Sequence, residues 1–166
     1  MLQEDPRSPI PQVYLAFADF PRPSRYILEE LYEPERLDYE HMLGGKPREA
    51  IQAADFGSVT WSPLGHLSPE AAAYLLPRLM ELAETASRDA SGNLFLTRFI
   101  NYISLGPAST EFSLLGSQQR MAVARYLDHI AARHIEAVRS ECWEDVLADA
   151  MQSWSVHDGD TRSIGH

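Results

Sequence analysis

Apolar residues recur at helical spacing along most of the chain. Ile10, Val13, Tyr14 and Phe17 stand at i, i+3, i+4 and i+7, which predicts a short amphipathic helix over 10–18 with Pro11 in its first turn. The stretch FPRP (20–23) stops it, because paired prolines cannot continue a helix. Ser24 is placed to cap a second helix through Leu28, Leu31 and Tyr32, ended or bent by Pro34. The pattern then weakens. DYEHML (38–43) and REAIQAADF (48–56) predict short helical segments around a Gly44-Gly45-Lys46-Pro47 loop. GSVTWSPLGH (57–66) reads as irregular, with Trp61 anchored in the core.

The second half is more regular. Ser68-Pro69-Glu70 is a strong helix start: serine caps, proline takes the first helical position, and the acid favours the positive dipole end. This helix runs to about Ala86 with Pro77 inside it. An interior proline costs about 3 kcal/mol, which packing of Leu75, Leu76, Leu79, Met80 and Leu82 must exceed. The expected result is a kinked central helix wrapped by the core. Ser91 opens the next segment, with Leu96, Phe99, Ile100 and Ile103 on one face, and Gly106-Pro107 ends it. Phe112, Leu114 and Leu115 are expected to pack inward from the following connection. Ser117 is read as the cap of the longest helical stretch, whose Val123, Leu127, Ile130 and His134 lie near one face. A final helix carries Cys142, Trp143, Val146, Leu147 and Met151. No run alternates with the period of a strand. The predicted architecture is all-α: one irregular or orthogonal bundle over 1–152 with a Pro-kinked central helix, then a polar tail over 153–166.

Charge changes the picture more than composition does. Apolar residues at 45% and charged residues at 23% of 166 describe an ordinary globular domain. The formal net charge of −10 argues against direct nucleic-acid binding, which needs Lys and Arg at phosphates. The excess is local. EELYEPERLDYE (29–40) holds six acids and one arginine, and ECWEDVLAD (141–149) holds four acids and no base. No apolar run approaches the ~20 residues that span a bilayer. The start shows no secretory pattern, so a cytoplasmic location is expected. A single cysteine, Cys142, excludes an internal disulfide and is read as a buried thiol in a helix beside Trp143.

Motifs that would name a reaction are absent. GGKPRE lacks the glycine spacing and Lys-Ser/Thr pair of a phosphate loop, and no Gly-x-Ser-x-Gly elbow occurs. His129 and His134 are five apart. On one helix they would diverge by about 140°, with His134 bordering the core and His129 facing solvent. His41 with Asp38 reads as a surface pair, and His157, Asp158 and Asp160 as a polar tail. No metal site, cofactor or catalytic residue is therefore expected. Glu141, Asp145 and Asp149 repeat every four residues, which on one helix makes an acidic ridge with no base to relieve it. With Glu29, Glu30, Glu33, Asp38 and Glu40, these are the candidate partner-binding residues, for a partner with a basic surface.

FADFPRP (17–23), LSPEAAAYLLPRLMELA (67–83) and EFSLLGSQQRMAVARYLDHI (111–130) together resemble a bacterial family of small helical domains of unknown function. The resemblance covers roughly residues 10–152, and the Leu-Pro helix is its most specific part. It implies no catalytic residues. Small acidic domains of that kind resemble immunity proteins, which neutralise a toxin encoded beside them. The expected function is thus an immunity or antitoxin-like protein that occludes the active site of a cognate toxin through an acidic surface. A nuclease, with its basic cleft, fits; an NAD-consuming or membrane-active toxin is an alternative. Two other classes stay open. One is a small helical enzyme with a site at the Pro77 kink, using Tyr74, Arg78 and a histidine. The other is an adaptor or self-associating domain, which would show apolar surface on the longest helix.

Overall fold

A computed structural model describes residues 7–155. Among them run seven α-helices: α1 (Ile10–Ala16), α2 (Glu33–Leu43), α3 (Pro69–Thr85), α4 (Phe95–Ile103), α5 (Ser117–Arg133), α6 (Ile135–Ser140) and α7 (Glu144–Trp154). Four short 3₁₀ turns lie between them, and no strand is formed among the described residues. The protein is an all-α bundle. No helix among the described residues is long and apolar enough to cross a membrane.

The central helix α3 begins as its sequence dictates. Ser68 Oγ accepts the Ala71 amide at 3.1 Å, and Pro69 opens the first turn where its missing N–H costs nothing. The helix continues through Pro77, whose ring is buried. Eleven residues of α3 are buried, so it is enclosed on nearly every side. Its one polar stripe carries Arg78, Glu81, Glu84 and Thr85. Helix α3 packs on α1 and α4, α5 on α1 and α7, and α7 on α4 and α6. Tyr126 of α5 reaches across the core, its hydroxyl donating to Met80 O at 2.7 Å.

Several expectations are corrected. Residues 24–32 form no helix. Tyr26 and Ile27 donate both their amides to Glu40 Oε1 at 2.8 Å, Leu28 donates to His66 O at 2.9 Å, and Ile27 bridges Leu67. Tertiary partners thus claim the amides that a helix capped by Ser24 would have used. Pro34 does not end a helix; it stands in the first turn of α2. Trp61 is exposed rather than anchored in the core, with its ring 5.1 Å from Tyr39. Leu114 is exposed, whereas Phe112 and Leu115 pack inward. Ser91 lies in a turn held by Asp89, and α4 starts later, at Phe95. Gly116, not Ser117, precedes α5 as its cap, its amide donating to Gln119 Oε1. Helix α7 runs to Trp154, which is buried, two residues past the expected boundary at 152. His157, Asp158 and Asp160 lie outside the described residues.

Candidate functional site

The acidic residues of the first patch divide into two groups. Glu40 faces inward and holds the Tyr26 and Ile27 amides, so it is a structural anchor. Glu35 accepts from the Tyr39 hydroxyl at 3.1 Å and stands 4.0 Å from His66. Glu29, Glu30, Glu33 and Asp38 are exposed and form no ion pair among the described residues. Two large apolar side chains stand among them: Tyr32 is 74% exposed and Leu37 56%. Glu33 and Leu37 share one face of α2 at i, i+4 spacing. The only base in the segment, Arg36, turns back to donate to Glu29 O. The start of α2 therefore presents apolar side chains bordered by carboxylates that form no ion pair among the described residues.

The second patch is not the ridge that its spacing predicts. Glu141 follows the end of α6, before the chain reverses at Cys142, and pairs with Arg88 at 2.8 Å. It does not share a helix with Asp145 and Asp149, which remain exposed on α7. Glu144, the first residue of α7, pairs with Arg139. Cys142 is likewise not a buried helical thiol. It is exposed, with φ of +60°.

Around Pro77 the polar groups are committed to structure. The Tyr74 hydroxyl accepts the Arg48 amide, and its ring stacks on Tyr26 at 6.3 Å. Arg78 donates to Ile51 O at 2.9 Å and pairs with Glu81 at 3.0 Å. Glu81 in turn accepts from Tyr14, whose hydroxyl is held well above its usual range by burial and then by that carboxylate. No histidine joins this group. The exposed residues of α5 are polar apart from Met121 and Ala132, and Met121 together with Leu15 of α1 leaves a small apolar spot.

The next member of the α3 stripe makes a different arrangement. Glu84 Oε1 lies 2.5 Å from His129 Nε2 and 3.0 Å from His134 Nε2. The imidazole rings stand 5.8 Å apart at 68°. One donor atom from each residue falls within 4.8 Å of the others. Glu84 is 12% exposed, His129 11% and His134 32%, so the group opens to solvent beside His134. Tyr126 packs next to His129, and burial with the Glu84 charge raises its hydroxyl well above the usual range, keeping it a neutral donor to Met80.

This convergence overturns the expectation that the two histidines diverge. Helix α5 ends at Arg133, and His134 leaves helical geometry with φ of −122° and ψ of 16°. The turn rotates its ring back toward His129. The inward and outward assignments are also reversed, since His129 is the more buried. The available signal was on α3: charged residues at 78, 81 and 84 in an apolar helix require partners. Family models, curated proteins and solved structures were all compared with the chain, and none matches.

Proposed function

We propose that this is a partner-binding domain of the immunity type, which docks a basic protein surface against the start of α2. The observation that supports it is the pairing of exposed Tyr32 and Leu37 with the unpaired carboxylates of Glu29, Glu30, Glu33 and Asp38. Apolar anchors inside a charged rim suit a specific interface: the anchors slow dissociation, and the carboxylates speed encounter with a cationic partner. Glu40 leaves the contact set because it holds its own chain. Glu141 has a competing partner in Arg88, while Asp145 and Asp149 remain a secondary acidic surface.

The test is co-purification with the protein encoded beside it, then titration at low and high salt. A stoichiometric complex that weakens with salt is expected, together with relief of toxicity on co-expression. Tyr32→Ala with Leu37→Ala should weaken affinity by about tenfold or more. Glu29→Lys with Glu33→Lys should slow association and reduce its salt dependence. A complex that both double variants leave unchanged places the interface elsewhere, and absence of any complex overturns the proposal.

A further inference from the structure

The Glu84, His129 and His134 group has no part in the α2 surface. Its chemistry is that of a metal site. We propose that Glu84 Oε1, His129 Nε2 and His134 Nε2 bind a divalent transition-metal ion of the zinc class.

Four observations carry this assignment. First, two imidazole nitrogens and one carboxylate oxygen form a borderline-soft donor set, which suits zinc and its neighbours over magnesium or calcium. Second, the spacing is close to what an ion needs. Bonds of 2.0–2.1 Å in tetrahedral geometry place donors about 3.3 Å apart. The carboxylate oxygen already stands 2.5 and 3.0 Å from the two nitrogens, so an opening of less than about 1 Å admits the ion.

Third, the group is built on a carboxylate. Glu84 is mostly buried, and its ion-pair partners among the described residues are the two histidines, with no lysine or arginine among them. A divalent cation would offset that carboxylate directly. Fourth, Glu84 lies in the last turn of α3, and His129 and His134 flank the end of α5. The negative end of the α3 dipole thus lies at the group and favours a cation, whereas at His134 the end of α5 meets the start of α6 and their dipoles offset. Three protein donors with an opening at His134 leave the fourth position to water or an incoming ligand. The ion would fasten the end of α3 to the α5–α6 junction.

The experiment uses the full chain without an affinity tag, stripped with chelator and titrated with Zn²⁺ by calorimetry and with Co²⁺ by visible absorption. One ion per chain, tetrahedral or five-coordinate Co²⁺ bands, and a melting temperature raised by about 5 °C at saturation are expected. Glu84→Gln and His134→Asn should each reduce affinity by more than about 100-fold, beyond the loss caused by removing a supporting group. His41→Asn and His157→Asn should leave it unchanged. In the wild-type chain, Zn²⁺ should shift the ring resonances of two of the six histidines, a readout that needs no variant to fold. No binding at millimolar Zn²⁺ overturns the proposal and leaves a hydrogen-bonded structural trio. Binding that survives Glu84→Gln and His134→Asn but fails in His157→Asn also overturns it, placing the ion elsewhere.

Discussion

At the scale of single residues, Cys142 shows how a side chain can sit where its backbone does not suit it. Helix α6 closes by donation from Trp143 N to Val138 O, a six-residue return that requires the residue just before Trp143 to be left-handed. Cys142 adopts that conformation at φ of +60°, at a cost glycine would not incur. Cys142→Gly should therefore stabilise the protein by about 1 kcal/mol, read as a higher urea midpoint with an unchanged slope. A lower midpoint would mean that the thiol makes compensating contacts. This exposed turn also separates Glu141 from Asp145 and Asp149, so one backbone angle divides an apparent ridge into two unrelated parts.

Among the elements, the segment between α1 and α2 depends most on a distant residue. Its amides at Tyr26 and Ile27 are satisfied by a carboxylate thirteen to fourteen residues later. Glu40→Ala leaves both donors without that acceptor and should cost about 2–3 kcal/mol, with faster hydrogen exchange in the Tyr26–Leu28 segment than in α3. Uniform loss of protection would instead mean that the segment unfolds only with the whole protein. The loop after residue 56 depends in a similar way on Arg98 of α4, whose guanidinium donates to Phe56 O, Gly57 O, Ser58 O and Ser62 Oγ. The planar fork of arginine lets one side chain hold four acceptors. In both places a charged side chain organises backbone that has no regular structure of its own.

For the whole molecule, α7 closes the bundle through Trp154. Its indole Nε1 donates to Ile103 O at 2.8 Å, and its ring meets Phe112 edge-on at 5.3 Å. Trp154→Ala should cost about 3–5 kcal/mol, measured by denaturant unfolding, because it leaves a cavity and removes one of the two donors to Ile103 O, which keeps the Gly106 amide. A small loss would show that α7 adds little to the core. The two proposed sites draw on different parts of the bundle: the α2 surface on its exposed acids, the metal trio on the ends of α3 and α5.

Much of this was written in local spacing. The all-α class, the Ser68-Pro69 start of α3, the loop at Gly44-Gly45 and the apolar faces of α4 and α5 follow from helical periodicity and capping chemistry, which act within a few residues. The concentration of acids at 29–40 was equally visible. Which of them remain free was not, because Glu40 meets its amides only after α2 docks. Nor was the fate of residues 24–32, whose helical spacing yields to partners from Glu40, His66 and Leu67. The metal trio lies farthest from sequence reading. Glu84 and His134 are brought together across fifty residues, and the histidines converge because α5 stops between them. Local pattern determined the helices. Long-range satisfaction of buried amides and charges decided how irregular segments run and which side chains meet, since those partners exist only in the packed chain.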